Sequence, residues 1–322
     1  MTNTNKAMGI KVASDIVNQV KVRMAELESP RDSYKTGWTQ GDLAEKSVVD
    51  LSTVKRFLKG KAVLSSSLIK IMKAVGLEPE PSLLQLENLR DASKRMLESL
   101  KRLTTESLTA GDGIRFEFDN IFVPLGVVER QEKSKRKQED GSPDRGSELY
   151  AEKVTPISHK DFFEDVLLRG NTKISQGKRI AIIGEAGAGK TTQLQKIGSW
   201  LLEETDYIPV WISLTALGAK SIREYLLEDW VRDASEEMAA PQAWRDSLGE
   251  AVKSGKVWLL LDGVDEMTVS KPLSHLSSQL REGWLKDVRI AITCRVNVWD
   301  AGKNALTDFD VYRNLDFDYP NE

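Results

Sequence analysis

Apolar residues recur at helical spacing through the first 82 residues, with short polar breaks between the runs. The next segment, from Leu83 to Leu103, reads as one long amphipathic helix. Its apolar positions are Leu86, Leu89, Met96, Leu97 and Leu100. The pattern therefore predicts a small all-α domain over residues 1–82, followed by a helical spacer.

From residue 154 the pattern changes to short apolar runs separated by helical segments, which is typical of a parallel α/β sheet. The runs are Ile180–Ile183, Pro209–Leu214, Val257–Leu261, Val288–Thr293 and Val311–Phe317. We therefore expect an α/β domain over residues 154–322, with a five-stranded parallel sheet and helices on both faces.

The stretch between these two regions has a different composition. Residues 129–153 are almost all charged or turn-forming and begin Glu-Arg-Gln-Glu-Lys-Ser-Lys-Arg-Lys. A segment of this kind buries too little apolar surface to order itself. We predict that it is a flexible linker, which together with the helical spacer makes up residues 83–153.

Composition narrows the possible chemistry. Cys294 is the single cysteine, and the two histidines, His159 and His275, lie far apart in the sequence. One chain therefore has too few cysteines for a disulfide framework or a thiolate zinc site, and two histidines so far apart give little support for a catalytic triad. The N-terminus lacks the apolar stretch of a signal peptide, and no apolar run approaches the length of a membrane span. We expect a cytoplasmic protein with no membrane segment.

A phosphate-binding pattern follows the run Ile180–Ile183. Glycine, four residues, glycine, lysine and threonine stand in the order of a P-loop, between a strand and a helix. Glycines let the backbone point its N–H groups inward at a helix start, which favours an anion. Lys190 would reach the β- and γ-phosphates, and the Thr191 hydroxyl would bind Mg²⁺. The candidate nucleotide-binding residues are Gly184, Glu185, Ala186, Gly187, Ala188, Gly189, Lys190, Thr191 and Thr192.

Acidic residues follow the third apolar run, in Asp262-Gly-Val-Asp265-Glu266. Because ligands of open α/β sheets bind at the carboxyl ends of the strands, we assign Asp262 to the Mg²⁺ site. Asp265 or Glu266 would orient or deprotonate an attacking water, and the sequence does not separate the two. Arg295 follows the fourth run, where it would sense the γ-phosphate or serve as an exposed ion-pair partner.

Taken together, three motifs resemble the NACHT family of STAND NTPases. They are Gly184 to Thr192, then Leu259-Leu-Leu-Asp-Gly-Val-Asp-Glu266, then Ile292-Thr-Cys-Arg295. The segment Phe122-Val-Pro-Leu-Gly-Val-Val-Glu-Arg130 is also similar to the one that precedes NACHT modules in bacterial, especially cyanobacterial, proteins.

The resemblance implies an ATP-controlled switch. ADP would hold a closed monomer, ATP binding would permit self-association, and slow hydrolysis would reset the state. The resemblance also implies a role in bacterial antiphage defence or stress signalling. NACHT proteins usually continue into further helical and winged-helix parts and a repeat sensor, whereas this sequence stops at Tyr319-Pro-Asn-Glu322. We therefore expect a fragment or a truncated product, whose hydrolysis is in doubt.

The N-terminal residues 38–77 resemble a phage-repressor type of helix-turn-helix. Thr39 would cap a helix over about Gln40 to Lys46, and Ser52 would cap a second, recognition helix that ends at Lys59. Four residues near its start would meet DNA, namely Ser52, Thr53, Lys55 and Arg56. Residues 1–82 carry 13 Lys and Arg against 9 Asp and Glu, a modest excess for a DNA-binding domain.

Three functions stay open at this level. The first is a nucleotide-controlled signalling ATPase, whose residues 36–77 contact a DNA or protein partner. The second is a transcription regulator in which ATP occupancy controls DNA binding. The third is a degraded NTPase that holds nucleotide only as a structural ligand. The sequence gives no base-recognition motif, so ATP rather than GTP rests on the resemblance, and it gives no stimulus, oligomer size or C-terminal sensor.

Overall fold

The computed structural model describes residues 9–30, 32–109, 125–132 and 150–315. Its helices are α1 (Ser14–Glu26), α2 (Gln40–Ser47), α3 (Leu51–Leu58), α4 (Ser65–Ala74), α5 (Pro81–Thr109), α6 (His159–Asp161, continued as a π-helix over Phe162–Leu168), α7 (Lys190–Glu204), α8 (Leu214–Leu217), α9 (Ile222–Tyr225, continued as a π-helix over Leu226–Trp230), α10 (Val231–Ser235), α11 (Gln242–Lys253), α12 (Pro272–Leu280) and α13 (Val296–Gly302). Short 3-10 turns cover Val264–Glu266, Gly283–Leu285 and Lys303–Ala305.

The strands are β1 (Glu28–Ser29), β2 (Asp32–Thr36), β3 (Leu125–Glu132), β4 (Tyr150–Ile157), β5 (Arg179–Gly184), β6 (Ile208–Ser213), β7 (Val257–Asp262), β8 (Arg289–Arg295) and β9 (Asp310–Asn314). The chain forms two compact units. The first comprises Met1–Glu98, Gly198–Val210 and Arg223–Val257, and the second comprises Ser99–Ile197, Trp211–Ile222 and Trp258–Glu322.

The N-terminal part of the first unit is a helical cluster with its own apolar core. Val20, Leu43, Val54, Phe57 and Ile71 are fully buried in that core. It is not all-α, because β1 and β2 pair as a two-stranded antiparallel sheet between α1 and α2. The prediction of an all-α domain is wrong on this point, since the two strands are too short and too polar to give an alternating pattern.

Different residues cap the two helices expected to form the helix-turn-helix. Thr39 caps α2 as predicted, and its hydroxyl and the Asp42 carboxylate form a reciprocal capping box. Helix α3 is capped by Asp50 rather than Ser52, because the Asp50 carboxylate accepts the N–H groups of Ser52 and Thr53. These hydrogen bonds, with the Thr53 hydroxyl contributing most, lower the pKa of Asp50 to about 2.

A buried polar seam runs through the first unit between α4, α5 and residues 202–209. The Asp206 carboxylate accepts both the N–H and the hydroxyl of Ser65 at 2.8 Å. The Arg90 guanidinium donates to the carbonyl of Tyr207 and, at 2.8 Å, to that of Leu202. Because this seam is closed to solvent, each of its hydrogen bonds replaces one that water would otherwise provide.

Two further side chains extend the seam. The Ser93 hydroxyl donates to the carbonyl of Pro209. Glu87 accepts the Ser65 hydroxyl at 3.1 Å and lies 3.6 Å from Arg90 Nε. Burial raises the pKa of the Glu87 carboxyl, with the Arg90 charge opposing the shift. Helix α5 is therefore held to residues 202–209 by hydrogen bonds from Arg90 and Ser93.

The central sheet has seven strands in the order β4-β3-β9-β5-β8-β7-β6. Strand β5 pairs in parallel with β8 and β9, and β7 pairs in parallel with β8. The interiors of β5, β7 and β8 are fully buried apolar runs, as a sheet covered on both faces requires. All five predicted strands are present, and the last is Asp310–Asn314, while residues 316–317 lie outside the described residues.

Two strands were not predicted. Strand β3 pairs antiparallel with β4, from Leu125 opposite Ile157 to Glu132 opposite Tyr150, and β3 also pairs antiparallel with β9. The sheet is therefore seven-stranded and mixed rather than five-stranded and parallel. The linker prediction is wrong at both ends of residues 129–153, and residues 133–149 lie outside the described part of the chain. Within the described ranges, no helix has both the length and the apolar character needed to cross a bilayer.

Candidate functional site

The loop from β5 to α7 has the backbone shape of a phosphate cradle. Gly187 and Gly189 adopt positive φ angles of 78° and 77°, which L-residues rarely adopt. A Cβ atom on Gly187 would meet nothing within 4 Å, so Gly187 is required by its φ angle and not by crowding. A Cβ atom on Gly184 would lie 3.3 Å from the side chains of Ala188 and Asn314. Gly187 and Gly189 are therefore needed for the backbone conformation of the loop, and Gly184 is needed for its close packing.

Lys190 lies against this loop. Its Nζ atom donates to the carbonyl oxygens of Gly184 at 3.2 Å and Glu185 at 2.8 Å. Glu185, Ala186 and Gly187 are exposed, whereas the loop from residue 188 to 192 is partly buried. A lysine held this way can move from the carbonyl groups to a phosphate, because both partners attract its charge.

Asp262 lies at the carboxyl end of β7, opposite the start of α7. The Thr191 hydroxyl donates to its two oxygens at 3.1 and 3.0 Å. The hydroxyl of Thr293, on β8, donates to the Asp262 carboxylate at 2.6 Å and accepts the N–H of Gly263 at 2.8 Å. The parallel strands thus bring together the two residues predicted to bind Mg²⁺.

The environment of Asp262 suits a divalent cation. Burial raises the pKa of its carboxyl, hydrogen bonds from Thr293 and Thr191 oppose the shift, and the charges of Glu266 and Asp265 add to it. A carboxylate and a hydroxyl are hard oxygen ligands of the kind that Mg²⁺ takes. Within the described ranges, no group of three or more His, Cys, Asp or Glu could hold a metal ion. A Mg²⁺ ion at a nucleotide site takes only one or two protein ligands, because phosphates and water supply the others.

Asp265 is engaged by the predicted arginine sensor. Its Oδ1 atom accepts the backbone N–H of Arg295 at 3.0 Å, and its Oδ2 atom lies 2.8 Å from Arg295 Nε. The Asp265 side chain is 6% exposed, whereas the Arg295 side chain is 51% exposed. Arg295 is therefore half exposed to solvent, while Asp265 holds its backbone N–H and its Nε atom in place.

Glu266 is the more accessible of the two acids. It lies in an exposed position, where its Oε2 atom accepts the hydroxyl of Thr215 at 2.9 Å. Thr215 belongs to α8, which directly follows β6. The structure thus separates two acids that the sequence left equivalent: Asp265 is bonded to Arg295, whereas Glu266 is exposed and bonded to Thr215.

Three polar residues at this sheet edge were missed by the sequence analysis. They are Thr215, Thr293 and Asn314, which hydrogen-bond to Glu266, Asp262 and the Ala188 carbonyl respectively. Each lies at or just beyond the carboxyl end of an apolar strand, which is the same signal that identified Asp262. The signal was available, but an uncharged side chain after a strand is too common to be singled out.

The four residues predicted to contact DNA lie on α3, with different exposures. Ser52 and Lys55 are exposed, whereas Thr53 and Arg56 are partly buried. The Arg56 guanidinium donates to the carbonyl of Ala62 at 2.6 Å, and the Thr53 hydroxyl donates to the Asp50 carboxylate. Binding of DNA or protein by this region stays a prediction, and Lys55 tests it better than Arg56 because Arg56 also supports the local fold.

A mixed α/β sheet with a glycine-rich loop between β5 and a helix, and with an acid at the end of β7, defines the class of P-loop nucleotide-binding domains. Residues 178–321 match the family model of the NACHT domain, and NACHT domains are P-loop NTPases. A comparison with curated proteins returns no match. The NACHT match supports the resemblance inferred from the three motifs.

Cys294 provides a check on the packing around this site. It is fully buried, burial raises the pKa of its thiol to about 12, the Asp265 charge adds to the shift, and Lys190 opposes it. Because thiolates are the reactive species, we expect Ellman's reagent at pH 8 to leave the native thiol unmodified during the time that fully modifies the chain in guanidinium chloride. The chain has one cysteine, so the assay reports this thiol alone. Fast modification of the native protein would contradict the packing described here.

Proposed function

We propose that the chain is a NACHT-type switch that binds ATP with Mg²⁺, hydrolyses it slowly and self-associates in its ATP-bound state. The observation that carries this proposal is the convergence of Lys190, Thr191 and Asp262 on one edge of the sheet, with Thr191 within 3.1 Å of Asp262. Adenine as the base, and a role in defence or stress signalling, are carried over from the NACHT resemblance.

Each residue at this edge would have a distinct task. The backbone N–H groups of the loop and the Lys190 ammonium would bind the phosphate chain. Thr191 and Asp262 would hold the Mg²⁺ ion, which neutralises charge on the phosphates when bound. Glu266 would orient or deprotonate the attacking water. Arg295, held by Asp265, would contact the terminal phosphate and respond to its presence.

The solvent exposure of the site supports a slow nucleotide-controlled switch more than a fast enzyme. Glu185, Glu266 and Arg295 are all exposed to solvent. Phosphoryl transfer gains most from preorganised charges in a site closed to water. An open site of this kind would turn over slowly until another part of the assembly covers it, which is the property a resettable signal needs.

The test compares the chain with Lys190→Ala and with Lys253→Ala as a matched control. Lys253 is exposed, forms a surface ion pair with Glu250 and is remote from the loop in sequence. Phosphate release is measured with ATP and Mg²⁺, and light scattering gives the molar mass with ADP, with ATP and without nucleotide.

We expect slow phosphate release and a higher mass with ATP for the wild type and Lys253→Ala, and neither for Lys190→Ala. A mass that is identical in ADP and ATP would contradict the switch. Tight binding without any phosphate release would contradict hydrolysis and favour nucleotide as a structural ligand.

A further inference from the structure

The carboxyl end of β9 contacts the phosphate loop. Strand β9 pairs in parallel with β5, with Ile183 opposite Arg313, so Asn314 lies beside Gly184 where the loop begins. Gly184, Ala188 and Asn314 pack together, because a Cβ atom on Gly184 would lie 3.3 Å from the Cβ atoms of both neighbours. Asn314 is 4% exposed and is thus part of the wall behind the loop.

One hydrogen bond joins Asn314 to the loop. Its Nδ2 atom donates to the carbonyl oxygen of Ala188 at 2.6 Å. Its Oδ1 atom is buried and has no hydrogen-bond partner among the described residues. A buried amide oxygen without a partner is unfavourable. The hydrogen bond that the Nδ2 group donates to Ala188 is therefore the contact that favours asparagine at this position.

The direction of that carbonyl group determines the direction of the next amide. In a planar trans peptide the C=O and the following N–H point in opposite directions. The Ala188 carbonyl points to Asn314, so the Gly189 N–H points away from Asn314. Gly189 has a φ angle of 77°, and the peptides around such a glycine can rotate at little steric cost. A rotated peptide would turn a carbonyl oxygen toward the phosphates and remove one donor from the cradle.

We propose that Asn314 is a positioning residue for nucleotide binding: it holds the Ala188 carbonyl toward β9 and so keeps the Gly189 N–H directed at the phosphate chain. The inference rests on the proposed function, since it assumes that this loop binds a nucleotide. The proposal adds one requirement to that function, namely a neutral hydrogen-bond donor at the end of β9.

The test uses Asn314→Leu, which keeps the approximate shape and removes the donor, and Asn314→Asp, which is isosteric and cannot donate when ionised. Calorimetry measures the Kd for ADP with Mg²⁺, and thermal unfolding without nucleotide measures the fold. Glycine-selective ¹⁵N labelling follows the Gly189 amide proton, because a phosphate hydrogen bond shifts such a proton downfield. The control is Asn18→Leu, at an exposed position of α1.

We expect both Asn314 variants to unfold at a lower temperature than the wild type, because the Ala188 carbonyl loses its donor, and Asn314→Asp to lose more because it buries a carboxylate. At a temperature where they are folded, both should bind ADP about tenfold more weakly or worse, as the loss of one hydrogen bond to a charged group implies. The downfield shift of Gly189 on ADP addition should be large in the wild type and in Asn18→Leu, and much reduced in the Asn314 variants. If Asn314→Leu does not fold, Asn314→Ala removes the same donor without adding bulk or charge and gives the same comparison.

Wild-type affinity and an unchanged Gly189 shift in either folded variant would overturn the inference while leaving the proposed function intact. An absence of ADP binding in the wild type would overturn both, and so the two failures are distinguishable.

Discussion

Glu266→Gln should reduce phosphate release by a factor of about 10²–10⁴ and leave the Kd for ATP within about twofold of the wild type, as expected when a positioned base is lost. The reason is geometric. Glu266 is exposed at the carboxyl edge of the sheet, where it accepts a hydrogen bond from the Thr215 hydroxyl, so its carboxylate can reach a water molecule. Glutamine keeps the size and the Thr215 contact but cannot take a proton. Single-turnover phosphate release, with the Kd measured separately, checks both parts of the prediction.

Asp265 provides the comparison. Its two oxygens are bonded to Arg295, so Asp265→Ala should act by releasing that side chain. We expect Asp265→Ala, Arg295→Ala and the double variant to have similar rates, because the second change removes a partner already lost. If Asp265→Asn stops hydrolysis with Arg295 unaffected while Glu266→Gln does not, the two acids have the opposite roles and the assignment is wrong.

Arg90→Met should lower the free energy of unfolding by about 3 kcal/mol, because it removes the two hydrogen bonds that the guanidinium donates to the carbonyl groups of Tyr207 and Leu202. Arg90 is 5% exposed, so water cannot replace the lost hydrogen bonds without opening the seam. Methionine retains most of the length and the apolar contact of the side chain. Urea unfolding followed by far-UV circular dichroism measures the loss.

The matched control for the seam is Lys94→Met, on the same helix. Lys94 is 62% exposed and lies 4.0 Å from Glu98, so its ion pair contributes less than about 0.5 kcal/mol. A small loss in the control together with a large loss in Arg90→Met supports the seam. Equal, small losses in both variants would show that α5 does not depend on these buried hydrogen bonds.

The core strands and the phosphate loop could be predicted because their signals are local. Each of β5, β7 and β8 is a continuous apolar run, and the loop is defined by glycines at fixed spacing. Strands β3 and β4 could not be predicted in this way. Their pairing joins residues 125–132 to 150–157, and the charged composition between them indicates a linker. The hydrogen bonds that hold such a hairpin are formed by the backbone, which composition does not report.

The site shows the same division. Lys190, Thr191 and Asp262 were predicted as site residues from spacing and strand position alone, and the structure brings Thr191 and Asp262 into contact. The choice between Asp265 and Glu266 depends on partners from other strands and helices, namely Arg295 and Thr215, which adjacent positions in the sequence do not reveal. Asn314 follows 126 residues after the carbonyl to which it donates, so only the parallel pairing of β5 and β9 shows the contact.

Calorimetric titration of the purified chain with ATP, in the presence of Mg²⁺ and again with excess EDTA, tests the central claim most directly. The account predicts saturable binding with Mg²⁺, much weaker binding with EDTA, and none in Lys190→Ala at the same concentrations. Absence of binding by the folded wild-type chain, or equal affinity in wild type and Lys190→Ala, would contradict it.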